Sequence, residues 1–315
     1  MQSDTINYGY ACANMQLYYP KLHGNCLSRP LSTNRTMIKK TFLERGVSYA
    51  SELALKNCID LFTIIKWNKI NNFNFFRVSS NLFPWSSEYN LKDLPDFNMI
   101  KKTLTETGTF INKNNMRITS HPGPFNVLTS PNEKVVKNCI KDLSVQGETF
   151  DLMNLERTPF NKINIHIGGA YNNKKDAMKR FCKNFKRLPV SVQKRLTVEN
   201  DDRSTLYSVK DLYNGVYKKI KIPIVFDYHH HRFCDGNMSE KKALELAIST
   251  WNGIKPVVHY SESRSEEKKD NTIKPQAHSD YVYQKINTYG NIIDIMVEAK
   301  YKELAVLEYL KKHKN

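Results

Sequence analysis

The sequence predicts a single (β/α)₈ barrel, and three observations predict it. Eight short β-branched or aromatic runs alternate with longer helix-patterned stretches across 315 residues. Several runs, such as Ile222-Pro-Ile-Val-Phe226, are almost wholly apolar, as a parallel strand covered on both faces requires. Histidines and carboxylates recur at the C-terminal ends of successive runs, the ends that share one mouth in a barrel. An open, doubly wound sheet shares the alternation, and element counting alone leaves it standing. No low-complexity linker divides the chain, so one domain spanning residues 1–315 is expected.

Taken in order, the predicted strands are residues 6–11, 75–79, 116–120, 163–167, 196–199, 222–227, 256–259 and 292–298. Most are bounded by Gly, Pro, Asn or Ser. Helical periodicity is clearest over residues 36–61, 133–143, 174–185, 239–251 and 302–312. Pro131-Asn-Glu and Ser239-Glu have the form of helix openings. The polar stretch 261–275 reads by composition as a solvated loop after the seventh strand.

Composition bounds the function. Hydrophobic residues make up 40% and charged residues 25%, which excludes a disordered chain. Lys plus Arg number 48 against 31 acidic residues, a net charge of +17 that suits a phosphate-rich partner as well as a merely soluble basic surface. The six cysteines are scattered without a CxxC pair, which points to reduced thiols rather than a disulfide or zinc framework. The N-terminus lacks a signal-peptide plan, and no run of apolar residues is long enough to span a membrane. The expectation is a soluble intracellular protein, monomeric and without an obligate protein partner.

The chemistry lies at the strand ends. His121 follows the third strand, His166 lies on the fourth, Glu199 ends the fifth, Asp227 the sixth, His259 the seventh and Glu298 the eighth. Asp227 leads into Tyr228-His-His-His231, and His278 lies beyond the polar stretch, so seven of the nine histidines fall in or near one rim. Any one of these residues is unremarkable: a lone His at a strand end more often makes a structural hydrogen bond, and three adjacent histidines can be solvated. Six consecutive strands each delivering one is not. A mixed imidazole–carboxylate set suits manganese, zinc or iron, whereas magnesium prefers oxygen. Two or three such ions would clamp the attacking and leaving oxygens of a phosphodiester, with Glu199 central enough to bridge two of them. The basic run Lys218, Lys219 and Lys221 precedes the sixth strand and belongs at the opposite end, as a solvated face. Arg203, Arg232, Lys300 and Lys302 follow strand ends and are better placed for phosphates, although the last two also fit an ordinary first helical turn.

These segments resemble the UV damage endonuclease family and, more distantly, endonuclease IV and the xylose-isomerase-like barrels. The resemblance rests on Gly9-Tyr-Ala-Cys-Ala-Asn14, Phe76-Arg-Val-Ser-Ser80, His121-Pro-Gly, Ile165-His-Ile-Gly-Gly-Ala-Tyr171, Leu196-Thr-Val-Glu-Asn-Asp-Asp202, Val225-Phe-Asp-Tyr-His-His-His231, Val258-His-Tyr-Ser261, His278-Ser-Asp-Tyr281 and Met296-Val-Glu-Ala-Lys300, which in order cover nearly the whole chain. It implies a DNA-repair nuclease that nicks damaged double-stranded DNA immediately 5′ of cyclobutane pyrimidine dimers and 6-4 photoproducts, and of abasic sites as well. The implied cofactor is two to three divalent ions, Mn²⁺ first, with Mg²⁺ or Zn²⁺ as alternatives. By the same resemblance His121, His166 and Glu199 hold one ion, Glu199, Asp227, His259 and Glu298 a second, and His230 with His278 a third. Glu199, Asp227 and Glu298 are the expected catalytic carboxylates, and Tyr10 and Asn14 match residues that contact the damaged dinucleotide.

Three departures stand out. The pair that wedges into the duplex after His-Pro-Gly is Pro124-Phe125 here, where the family has Gln-Tyr. Glu88 replaces a histidine, and Val257 replaces a lysine that can be carboxylated in the family, so that any role for this modification is expected to be absent. His231 and Lys300 complete the set of expected neighbours of the site. Two other readings fit parts of the pattern. A metal-dependent sugar isomerase or epimerase would use a similar ligand set without needing the positive charge, and a damage-binding protein with weakened catalysis would fit Glu88 and Val257.

Overall fold

The eight predicted strands are all present in a computed structural model that describes residues 5–18 and 29–313. They are β1 (Tyr8–Ala11), β2 (Phe75–Val78), β3 (Arg117–Ser120), β4 (Ile163–Ile165), β5 (Leu196–Glu199), β6 (Ile224–Asp227), β7 (Val257–Tyr260) and β8 (Asp294–Val297). All pair in parallel and in chain order, and β1 pairs with both β2 and β8, so the sheet closes on itself. Closure removes the open-sheet alternative.

Alternation along each strand divides the side chains between two environments. Ile118, Ile163, Ile165, Val198, Ile224, Phe226, Val258 and Ile295 join the large core between strands and helices. The opposite parity points into the barrel, where Ala11, Phe75, Val225, Val257 and Met296 form a small apolar plug with Trp251. Gly9 shares that inward parity, and a Cβ there would come within 2.6 Å of the Phe75 ring, so only glycine fits without a shift. The rest of the interior is polar, and its buried members include Arg117, Lys162, Asn164, Thr197, Glu199, Asp227, His259 and Asp294.

Four of these elements differ from the sequence reading. The helix expected over 36–61 runs Lys39–Ile70, and it kinks at Gly46, whose φ of 64° is one that glycine adopts at little cost. A hairpin of Ala13–Tyr18 against Pro30–Ser32 follows β1. The helix Phe97–Lys113, also absent from the sequence reading, packs against the helices Lys39–Ile70 and Glu133–Leu152. The stretch 261–275, expected as a solvated loop, is instead held down. It contains the helix Arg264–Lys268, and Ser263 bridges to His278 in antiparallel fashion. The Glu267 carboxylate accepts from the backbone N–H groups of Asp280 (2.9 Å) and Tyr281 (3.2 Å) and from the Tyr283 hydroxyl (2.8 Å). Its charged residues are thus engaged by partners distant in sequence, which composition does not reveal.

The N-terminal end of the barrel is closed by an ionic knot. Arg117 donates to Asp294 (3.0 Å) and to the carbonyls of Lys255 (2.9 Å) and Phe160 (2.8 Å). Lys255 approaches the other Asp294 oxygen at 2.6 Å, and Asn7 donates to it from backbone and side chain. No helix among the described residues is long and apolar enough to cross a membrane. Five cysteines are free, and Cys26 lies outside the described residues.

Candidate metal centre

At the C-terminal mouth, Glu199 ends β5 with its side chain directed inward and only 1% exposed. Four imidazoles face this one carboxylate. His121 Nε2 lies 3.2 Å from Oε2 and His259 Nδ1 2.9 Å from the same oxygen. His230 Nδ1 lies 3.3 Å and His166 Nε2 3.9 Å from Oε1. Asn164, two residues before His166 and therefore on the same inward face of β4, donates its amide to Oε2.

Local structure explains how Asp227 and His230 meet. Asp227 Oδ1 caps the single helical turn Tyr228–His231 by accepting from the His230 N–H at 2.7 Å. That turn swings the His230 ring back over the barrel, 3.9 Å from the same carboxylate. Asn200 fixes the strand end by exchanging hydrogen bonds with the Asp227 backbone, at 2.9 and 3.0 Å. Glu298 follows β8, is ion-paired with Arg77 from β2, and lies 3.2 Å from His259 Nδ1 and 3.6 Å from His278 Nδ1.

Three sets have ligand atoms within 4.8 Å of one another: His121, His166 and Glu199; Glu199, Asp227 and His230; and Asp227, His259 and Glu298. The first matches the set expected from sequence. His230 joins Glu199 and Asp227 rather than pairing with His278, which stands at the edge beside Glu298.

Charge in this cluster is poised for cations. Burial opposes ionisation of Glu199, yet His259, His166, His121 and His230 hold its carboxyl well below the usual range. Burial likewise disfavours a charged Glu298, and Arg77 and His259 outweigh it. Asp227 goes the other way, because burial is only partly offset by His230 and pushes it up to about 7. Burial is outweighed at His166 by Glu199 and Asp201, which raise it to about 9, whereas burial prevails at His259 and lowers it to about 4. Asp227 Oδ2 is buried without a hydrogen-bond partner. An orphaned buried acceptor among converging carboxylates and imidazoles is what a divalent ion satisfies. The residues therefore fit the expected cofactor.

The outer nitrogens of the rings are engaged as well. His121 Nδ1 lies 3.2 Å from the Pro122 carbonyl, and His166 Nδ1 3.2 Å from Asp201 Oδ1. His259 Nε2 lies 3.0 Å from Lys162 Nζ. Lys162 is fully buried, and burial lowers its amine to about 7. Val257, the expected lysine position, sits instead in the apolar plug.

The other expected residues are distributed unevenly. Pro124 and Phe125 project from the mouth on a turn closed by Asn126 N–H to the Gly123 carbonyl (3.1 Å), and Phe125 is 87% exposed. The Asn126 side chain anchors that turn to Asp142 at 2.8 Å. Tyr10 and Asn14, expected at the lesion, are fully buried. Tyr10 has the outward parity of β1, packs on Phe73 and Phe76, and donates to Asn68 while accepting from Asn14 at 2.8 Å. As placed, neither offers an atom to DNA. Glu88 is exposed on the loop after β2, and its side chain contacts Ser87. His231 is buried against Phe226, away from the three sets. Lys300 and Arg203 are exposed, while Arg232 is ion-paired with Glu266.

Sequence reasoning missed Arg77, Lys162, Asn164, Asn200 and Asp201. For three of them a signal was present. Lys162, Asn164 and His166 stand two residues apart along and just beyond β4, and Arg77 is two residues beyond inward-facing Phe75, so period-two counting places all of them inside the barrel.

Comparisons with known proteins extend over nearly the whole chain. The family model described as UV-endonuclease UvdE matches residues 6–315. A UV-damage endonuclease of Schizosaccharomyces pombe is 35% identical over 97% of this chain, and the chain spans 50% of that protein's length. The crystal structure of SacUVDE superposes with a TM-score of 0.79 at 30% identity, covering 98% of each chain. A D-psicose 3-epimerase of Clostridium cellulolyticum superposes with a TM-score of 0.52 at 12% identity, over 76% of this chain and 79% of its own, a likeness of fold alone.

Proposed function

The chain belongs to the UV-endonuclease UvdE family, and on that premise we propose that it is a DNA-repair endonuclease that hydrolyses the backbone of ultraviolet-damaged duplex DNA. The observation that carries this reading is the convergence of four imidazoles on Glu199 at the barrel mouth, beside the unpartnered Asp227 Oδ2. His121, His166, Glu199, Asp227, His230, His259 and Glu298 hold two or three divalent ions, manganese foremost, with His278 completing the rim. Such ions supply Lewis-acid activation of a phosphodiester and of the water that attacks it.

The protein's own groups bind and orient. Glu199 is the central ligand shared between sets, and Arg77 holds Glu298 in place. Phe125 is the apolar probe that enters the base stack where pairing is weakened, since an exposed ring on an anchored turn can stack without rearrangement. The net charge of +17 draws the polyanion to the surface. The cut falls immediately 5′ of cyclobutane dimers and 6-4 photoproducts, with abasic sites as further substrates. The protein acts as a soluble intracellular monomer, a single domain over the whole chain.

An end-labelled duplex carrying one defined cyclobutane dimer tests this reading. With Mn²⁺ a single product ending 5′ of the dimer is expected, and a chelator abolishes it. Cutting of an abasic duplex but not of the dimer duplex would reassign the substrate. Cutting of neither, with any divalent ion, would sink the proposal.

A further inference from the structure

Within the proposed metal centre, three rings show a common plan with one exception. His121 and His166 each turn one nitrogen toward Glu199 and the other toward an oxygen, the Pro122 carbonyl and the Asp201 carboxylate. The Pro122 carbonyl can accept the His121 N–H, which fixes that ring's tautomer and leaves its inner nitrogen's lone pair for a cation, while Asp201 sets a carboxylate 3.2 Å from the outer nitrogen of His166. His259 is reversed: Nδ1 faces Glu199 and Glu298, at 2.9 and 3.2 Å, and the outer nitrogen is Nε2. Its partner there is not an oxygen but Lys162 Nζ, at 3.0 Å.

Lys162 reaches this position from the residue before β4, at the same inward parity as Asn164 and His166. It is 0% exposed, and no carboxylate lies within ion-pair distance of its amine among the described residues. A buried lysine without an anion is costly unless it serves a specific contact. Either nitrogen of the Lys162–His259 contact can carry the shared proton in the metal-free protein. In either arrangement the contact holds the ring's outer edge and leaves Nδ1 facing the two carboxylates.

We propose that Lys162 is a positioning residue for the metal centre, whose buried amine holds the outer nitrogen of His259 and so turns Nδ1 toward Asp227 and Glu298, where an ion would be held. The inference rests on the metal-centre reading above, and its role is one that carboxylates or carbonyls serve for the other two rings. Apolar replacement leaves Nε2 without a polar partner in a closed interior. Loss of such a partner typically weakens metal affinity by about 10–100-fold.

The test is calorimetric titration of chelator-treated protein with Mn²⁺, comparing wild type, Lys162→Met and Lys162→Gln, alongside thermal melts of the metal-free proteins. Lys162→Met is expected to weaken one class of sites by about 10–100-fold without loss of the folded state. Lys162→Gln, whose amide oxygen accepts but bears no charge, is expected to recover most of that affinity. Wild-type affinity in Lys162→Met, or a Lys162→Gln protein that folds yet binds as weakly as Lys162→Met, would overturn the assignment. If Lys162→Met fails to fold, the glutamine variant alone decides. Absence of Mn²⁺ binding by wild type would remove the centre itself, a result distinct from failure of Lys162 alone.

Discussion

Both ends of the barrel interior are ionic, and they differ in whether their charges are already answered. At the N-terminal end Arg117, Lys255 and Asp294 satisfy one another and the surrounding carbonyls and Asn7. At the C-terminal end the carboxylates and imidazoles converge just as closely, yet Asp227 Oδ2 has no hydrogen-bond partner. The first arrangement is complete without a ligand and plugs the barrel. The second is completed only by something positively charged from outside. Burial of charge is common to both, so satisfaction, rather than burial, separates a structural ion network from a site.

The largest effect that would break this contrast is catalytic. Glu199→Gln keeps the shape of the mouth but removes the charge that four imidazoles face. Nicking of irradiated DNA is expected to fall on the order of a hundred- to a thousand-fold, the range for loss of one preorganised electrostatic group. Unchanged rates in that variant would mean the mouth is not where cutting occurs. Arg117→Met at the other end should act on stability, since it removes one of the two buried cations that face Asp294 and leaves its Oδ2 unpaired. A loss of about 3–5 kcal/mol in denaturant unfolding is expected, with Mn²⁺ stoichiometry per folded molecule unchanged. If it lost metal while remaining folded, the two ends would not be separable.

Phe125→Ala probes the only large apolar ring exposed on the turn after β3. It should weaken binding to a dimer-containing duplex by about 1–3 kcal/mol while leaving metal binding intact, as equilibrium titration on matched damaged and undamaged duplexes would reveal. The smallest effect concerns an intermediate case. Glu303 is fully buried, with one oxygen accepting from the Gln16 N–H (2.9 Å) and the other orphaned. No converging imidazoles accompany it, and burial pushes its carboxyl up to about 7 from an ordinary 4.5. The folded state therefore holds this proton more tightly than the unfolded chain does. The resulting stability is complete below about pH 4.5 and is lost as pH rises through about 7. Glu303→Gln should match wild type in melting temperature at pH 4.5 and exceed it at pH 8, and equal melting temperatures at both would contradict the account.

Much of the barrel was legible because parallel strands covered on both faces are apolar runs, and each of the eight expected runs contains a strand within about two residues of its limits. The ligand set was legible for a related reason: a polar residue ending an apolar run stands at the mouth. What escaped depended on parity or on distant partners. Tyr10 belongs to a motif shared with the family, yet its place on β1 turns it into the helix layer, so likeness of motif suggested a lesion contact that the placement does not support. Lys162 precedes its strand, so only its parity with Asn164 and His166, and not the apolar run itself, marks it as inward-facing. The stretch after β7 looked solvated because the partners of Glu267 lie beyond residue 279. The hairpin Ala13–Tyr18 has no compact turn signal, because its strands are separated by a long insertion.

The most direct test is a crystal structure of the Mn²⁺-loaded protein with anomalous scattering recorded near the manganese edge. Peaks are expected at the C-terminal mouth, coordinated by Glu199 and by Asp227, with none at the Arg117–Asp294 knot. A protein that nicks irradiated DNA while showing no manganese at Glu199, or showing it bound elsewhere, would contradict the account.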